Sequence, residues 1–311
     1  LHRRRHSFPT RRSSDLALFY RLNANNKKIM QGGTSFEVPI IWRRSQAGGG
    51  TFSGYDLLAS QPSSQVRSMA FSWRQHYRTI QISELDLIQA DSPEAIGNLL
   101  DQQVELEVME MEQDLGQGMW SGGTDPKEMD GLVTAVNDSS GVPTYGSVAR
   151  SAVAGLNSNI DSSTTTLTPY ALQRMFGRCT VGGNTPSLIL SRQDNYDRYW
   201  NLVQTAQRFI GQDDNLAKMG FANILFNGAT PWVVDSNTPN GATWAGANTG
   251  SAIVMLNEKW IDLLISKRGD MQMKPFQEPH NQAAYTAKLL WAGNLVNKAP
   301  RTCGVLAGIT A

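Results

Sequence analysis

The chain is 311 residues long, 40% hydrophobic and 18% charged, with 28 Gly, 13 Pro and two Cys, enough for one large domain or two smaller ones around a real core. No apolar run of about 18 residues occurs, and no apolar segment with a small-residue cleavage site follows the first residues, so neither a helical membrane span nor a secretory signal is expected. Cys179 and Cys303 are too few and too far apart in sequence for a disulfide framework and are expected to be reduced thiols.

The formal charge of +1 hides an uneven distribution. The first sixteen residues, LHRRRHSFPTRRSSDL, hold five arginines against Asp15 alone, and setting them aside takes the charge to −3. They resemble translated sequencing-adapter read-through and are kept out of the fold reading; the alternative is a basic arm for nucleic acid. The near-neutral remainder lacks the global attraction for polyphosphate that a dedicated nucleic-acid binder needs.

TSFEVPII, residues 34–41, reads as a short strand in which Pro39 marks an edge position. Residues 42–66 hold Gly48, Gly49, Gly50, Gly54 and Pro62 with little periodicity, too long for an ordinary connection inside a compact domain. SMAFSWRQHYR then alternates, with Met69, Phe71, Trp73 and Tyr77 expected on one face and Ser68, Ser72, Arg74, His76 and Arg78 on the other. The two strands flank a long hairpin excursion.

Asp91-Ser92-Pro93-Glu94 is a helix-start signal. Leu100, Val104, Val108, Met111 and Leu115 follow at spacings of three and four, an apolar stripe on a helix that Gly116 and Gly118 end. From Asp91 to Leu115 there are eight acids and no Lys or Arg, so this helix repels itself unless something basic lies against it.

Further on, DGLVTAVN (130–137) is expected to be a strand. Thr168 should cap a helix over 169–177 with Pro169 in its first turn, SLILS (187–191) is a buried-strand run, and 195–209 is an aromatic-rich helix. ANILFNGATPWVVDSN and SAIVMLNEKWIDLLI supply more strands around a polar loop at 236–250, and the last segment makes two strands broken at Asn297–Arg301. Strands and helices intersperse without βαβ alternation, so the class is α+β.

Motifs for catalysis are missing one after another: GxSxG, GxxxxGK[ST] and HExxH are all absent, and the Gly116–Gly118 pair lacks the third glycine of a dinucleotide loop. His76 and His280 are isolated, with no local metal-ligand spacing, so no catalytic residue, cofactor or metal is expected. Glu105, Glu107, Glu110 and Glu112 leave a glycosidase open only if two carboxylates converge in a pocket; a continuous acidic helix face is otherwise solvated or partner-facing.

Taken in order, the strand FEVPI, the glycine-rich excursion, the returning MAFSWRQHYRTIQIS, the acidic helix from Pro93, MDGLVTAVN, SLILSRQDNYDRYW, FANILFNGATPWVVDSN and LLWAGNLVNKAPRTCGVLAGI resemble a major capsid protein of a tailed bacteriophage with the Hong Kong 97-type fold. The resemblance spans about Thr34 to Ile309. It implies an arm and first strand at 17–41, an extended loop at 42–66, a returning strand at 67–90 and the long spine helix of a peripheral domain at 91–120. The rest of that domain with lead-in strands would occupy 121–235, and a mainly axial domain 236–311.

The resemblance implies a structural, non-enzymatic subunit, located in the virion and in the host cytoplasm during assembly. It would form hexamers and pentamers of an icosahedral shell around double-stranded DNA held without sequence-specific contacts. Scaffolding protein, portal and a decoration protein are the implied partners, with no membrane. An encapsulin-type compartment shares the fold and stays open. Arg43, Arg44 and Arg67 at the loop base are expected to meet Glu105, Glu107, Glu110 and Glu112 of an adjacent subunit, because that helix face has no basic residue of its own. Where shells of this family are sealed by Lys–Asn cross-links the loop supplies a lysine; residues 42–66 contain none, so the shell is expected to be non-covalent.

Overall fold

The computed structural model describes residues 16–41, 51–58, 65–90, 93–123, 125–207, 225–227, 230–244, 248–280 and 282–310. In chain order the elements are α1 (Ala17–Asn25), β1 (Lys27–Met30), β2 (Ser35–Ile41), β3 (Val66–Ser72), β4 (Arg74–Ser83), α2 (Glu84–Ala90), α3 (Pro93–Gly118) and α4 (Leu132–Ala135). Then come β5 (Thr144–Tyr145), β6 (Val148–Ala149), β7 (Asn159–Asp161), α5 (Pro169–Cys179), β8 (Leu188–Ser191), α6 (Gln193–Gln207), β9 (Leu225–Phe226) and β10 (Thr230–Val234). The chain closes with β11 (Ser251–Leu256), β12 (Ile261–Ser266), β13 (Gln272–Gln277), β14 (Ala284–Asn297) and β15 (Gly304–Ile309).

Two sheets carry the architecture. In the first, β14 is shared: Ala284–Gly293 pairs antiparallel with β4 and Gly293–Asn297 with β12, while β13 lies along its other edge. β1 adds in parallel to β12, Lys27 opposite Leu263. The second sheet has six strands in the order β7-β15-β11-β8-β10-β9. Its strands read as continuous apolar runs because both faces are covered. Leu188, Leu190, Val254, Leu256 and Val305 enter the core shared with α3 and the first sheet, and the intervening Ile189, Ile253, Met255 and Leu306 enter a second core under α5 and α6. Tyr199 stacks on Trp232 in that second core at 4.5 Å.

Local signals explain several elements. The Thr168 hydroxyl accepts from the Ala171 amide, 3.1 Å away, with Pro169 in the first turn, as a capped N-terminus requires. α3 ends at Gly118, and its buried anchors Met111 and Leu115 both lie in its C-terminal half. β8, α6 and the β14–β15 break at the turn Pro300–Thr302 also fall where expected, α6 being described as far as Gln207.

Other expectations are corrected. DGLVTAVN is not a strand: Leu132–Ala135 is one buried helical turn. The fully buried Arg150 donates to the carbonyls of Thr134 (2.6 Å), Ala135 (3.3 Å) and Asn137 (2.8 Å) and to that of Leu156, gathering acceptors that only a curled segment presents together. The returning strand is not one alternating element either. It breaks at Trp73, whose indole N–H donates to the Gly33 carbonyl at 2.7 Å, and Asn294 donates to the Ser72 carbonyl at 3.0 Å. The phase slips by one residue there, so beyond it Arg74, His76 and Arg78 turn inward and Tyr77 is exposed. β1, β13 and α1 carry little periodicity and were not expected. α1 is anchored by buried Leu18, Phe19 and Leu22, and by Arg21 on Glu258.

The strands of both sheets come from either side of residue 235: β8 and β10 pair in the same sheet as β11 and β15, whereas β12 and β14 return to the sheet beside α3.

Candidate functional site

The surface singled out by the sequence is the acidic face of α3 together with the ribbon β2–β3 at the foot of the excursion. The ribbon is registered from Ser35 opposite Ser72 to Ile41 opposite Val66. Phe36, Val38, Ile40, Met69 and Phe71 face the interior and anchor it against Tyr145, Leu264 and Val296. At its outer end the apolar cross-strand pair Ile41 and Val66 stands 79% and 57% exposed.

Beyond the ribbon, Phe52, Tyr55, Leu57 and Leu58 are 66%, 107%, 101% and 68% exposed. The Ser53 amide donates to the Asp56 carboxylate at 2.9 Å, which bends this segment. Arg67 is exposed and sits opposite Ile40. Arg43 and Arg44 lie outside the described residues.

On α3 the structure corrects the premise that the acids lack counter-charge within their own chain. Arg78 on β4 faces the helix: its Nε and Nη2 donate to Asp114 at 2.7 and 3.0 Å, Nη2 reaches Glu110 at 3.2 Å, and Nη1 lies 3.8 Å from Glu107. The Asp114 hydrogen bonds, with Glu110 and Glu107 behind them, hold the Arg78 guanidinium above its ordinary value. Glu112 accepts from the Tyr20 hydroxyl at 2.6 Å. Glu105 is exposed and makes no hydrogen bond or ion pair with the other described residues. The fan of carboxylates on Arg78 was missed because Arg78 was placed on the solvent side of the strand; the eight unbalanced acids next to a strand carrying Arg74 and Arg78 were the available signal.

Beside this cluster His76 packs on Trp291 with ring centroids 5.9 Å apart, and its buried Nε2 has no hydrogen-bond partner among the described residues. Burial pushes its imidazole below the ordinary value, against the opposing pull of Asp114 and Glu128. Chemically the face is a string of carboxylates along a helix. None of them lines the cavity of about 240 Å3 beside Ile40 and Ile41 at the outer end of the ribbon, and a glycosidase pair would have to converge in a pocket. Among the described residues no group of three or more His, Cys, Asp or Glu is placed to hold a metal, and no helix is long and apolar enough to cross a membrane.

No protein-family model and no curated protein matches the chain. Solved structures do. The cyanophage A-1(L) capsid subunit is 15% identical, with a TM-score of 0.71 over 98% of this chain and 96% of that one. The capsid of the native GTA particle is 12% identical, with a TM-score of 0.63 over 98% and 93%. The holo-SrpI encapsulin complex of Synechococcus elongatus is 11% identical, with a TM-score of 0.59 over 97% and 91%. At such identities the likeness is one of architecture, and it extends nearly end to end: this chain shares the Hong Kong 97-type α+β fold of these capsid and encapsulin subunits.

Proposed function

We propose that the chain is a shell-forming structural subunit, the major capsid protein of a tailed phage, which assembles as hexamers and pentamers into an icosahedral shell around double-stranded DNA. The observation that carries this reading is the exposed apolar segment Phe52–Leu58 on its long excursion. Four large hydrophobic side chains stand in solvent beyond a well-packed ribbon, an arrangement that an isolated subunit does not stabilise and a neighbour does. Other uncovered parts agree. α2 buries none of its residues, and Leu106 on α3 is 44% exposed.

In place of the expected division at residue 235, this reading takes α3 with the β4, β13 and β14 sheet as the peripheral domain and the six-stranded sheet, which draws strands from both sides of that residue, with α5 and α6 as the axial one. Contacts between subunits are heterologous, as ring closure demands. Arg43, Arg44 and Arg67 meet the α3 face of the next subunit. With Arg78 already serving Glu107 and Glu110, Glu105 is the foremost acceptor. DNA is retained by enclosure, so portal, scaffold and decoration proteins are the partners, and the subunit resides in the virion after assembly in the host cytoplasm.

The test is direct: the purified full chain is examined by light scattering and negative-stain electron microscopy. Rings, tubes or closed shells support the reading, and a strictly monomeric species at every concentration overturns it. Charge reversal at Arg43 and Arg44 should weaken assembly and its salt sensitivity; unchanged assembly removes that contact. Denaturing gels of particles should show monomer only, since residues 42–66 offer no lysine; a covalent ladder refutes the non-covalent shell. An encapsulin-type compartment is the second reading, favoured by the encapsulin likeness. Nuclease-protected DNA in isolated particles supports the first, an enclosed protein cargo the second.

A further inference from the structure

Besides Ile40 and Ile41, the cavity at the outer end of the ribbon is lined by apolar Val153 and Leu156 and by the cations Lys298 and Arg301, and no Asp or Glu is among its lining residues. The basic character extends past its rim. Lys259 stands 5.4 Å from the ring centre of Trp260, another lining residue. The Asn159 side-chain amide donates to the carbonyls of both Arg178, at 3.2 Å, and Arg301, at 2.9 Å, which ties the last turn of α5 to the turn Pro300–Thr302. Arg178, Lys259 and Arg301 are exposed and make no side-chain hydrogen bond or ion pair with the other described residues. Lys28 and Lys298 share the buried Asp262, so that triad keeps one positive charge, and the neighbouring Glu258 is already held by Arg21. Four formal positive charges therefore gather around one cavity, on a body whose charge without its first sixteen residues is −3. A cleft of one sign with low-dielectric walls concentrates its field and draws the opposite charge.

The ligand that fits is a polyanion that repeats its charge at regular intervals and carries C–H surface between the charges. A nucleic-acid backbone does both: its phosphates are evenly spaced, and the sugars between them suit walls made by Ile40, Ile41, Val153 and Leu156. We infer that the cavity and its basic rim bind the sugar–phosphate backbone of double-stranded DNA. One sugar–phosphate unit sits at the cavity with Lys298 and Arg301, and flanking phosphates are met by Lys259 and Arg178. Contacts to phosphate and sugar carry no base information, so the site is indifferent to sequence. The inference rests on the reading of a shell that encloses DNA, and it names where on the subunit the duplex is touched. The enclosed duplex then rests on a basic seat repeated once per subunit, rather than on a uniformly charged wall.

The test is a titration of a short fluorescein-labelled duplex with the full-length chain, kept below the concentration at which particles form and read by anisotropy at several salt concentrations. The parent is compared with Arg301→Gln, Lys259→Gln and, as a control, Lys274→Gln, an exposed position on β13 away from the cavity. Each variant removes one exposed positive charge, and the arginines before residue 16 are common to all four chains. An equal denaturation midpoint checks that every variant folds. Each rim variant should bind about five- to tenfold more weakly than the control at about 0.1 M salt, and should flatten the plot of log K against log salt by about 0.9. Duplexes of different sequence should give the same result. Rim variants that bind like Lys274→Gln overturn the inference. So does tighter binding of polyglutamate than of duplex through the same residues, which would assign the rim to an acidic protein. Rim-dependent binding by a chain that never forms particles would defeat the shell reading and leave the site standing. Particles that protect DNA while the rim variants match the control would do the reverse.

Discussion

The six-stranded sheet and the excursion beyond β2–β3 are built on opposite principles. β8, β11 and β15 have both faces buried, one against α3 and the first sheet and one against α5 and α6. The excursion leaves a ribbon with one buried face and carries Tyr55 and Leu57 wholly in solvent. A sheet covered on both sides satisfies itself within one chain; a segment with this much exposed apolar surface is, on the proposed reading, completed by another molecule. On the proposed reading folding and assembly fall to different residues, and substitutions should separate them.

The largest loss of stability is expected on the self-contained side. Arg150→Leu removes a donor from four buried carbonyls, of which Asn137 keeps the Ser158 amide, and should cost about 3 kcal/mol or more, read as a lower denaturation midpoint. Arg78→Ala leaves Glu107, Glu110 and Asp114 facing one another without their cation. A loss of about 1 kcal/mol is expected for this part-exposed cluster, shrinking as salt is added.

Smaller again is the contribution of His76. Its folded value lies below its ordinary 6.5, so below that pH the unfolded chain binds more protons and stability falls as the solution is acidified. His76→Gln should flatten this slope below about pH 6.5; an unchanged slope would assign it to other groups. The smallest effect on the subunit is expected from Leu57→Ser, within about 0.5 kcal/mol of the parent, yet it should abolish or strongly weaken assembly. If it destabilises the monomer instead, the contrast between the two regions fails.

How much of this was legible in the sequence follows from what each pattern depends on. Local chemistry was readable: Thr168-Pro169 caps α5, and the stripe ending in Met111 and Leu115 sets the buried side of α3. Tertiary exchange was not. The strand phase shifts at Trp73, where the Gly33 carbonyl takes the indole N–H and Asn294 takes the Ser72 carbonyl from distant parts of the chain, and no alternation rule registers that. Leu132–Ala135 has the apolar content of a strand but curls around Arg150, fifteen or so residues away. The acidic face was recognised while its partner Arg78 was turned the wrong way, a direct result of the same slip at Trp73. β13, exposed along most of its length with Pro275 inside it, has the composition of a loop and is a strand because β14 offers it an edge.

The shared strand β14 has a mechanical consequence. β4 leaves the ribbon at Arg74 and lies against β14 in ten consecutive registered pairs, antiparallel, from Gly293 back to Ala284. A tug on the ribbon from outside therefore enters this ladder lengthwise, and its rungs are loaded in shear all at once. The two-pair hairpin of β5 and β6, by contrast, would unzip a rung at a time. Tension that passes the ribbon's own buried anchors is spread over ten rungs at once, the longest ladder among the described residues.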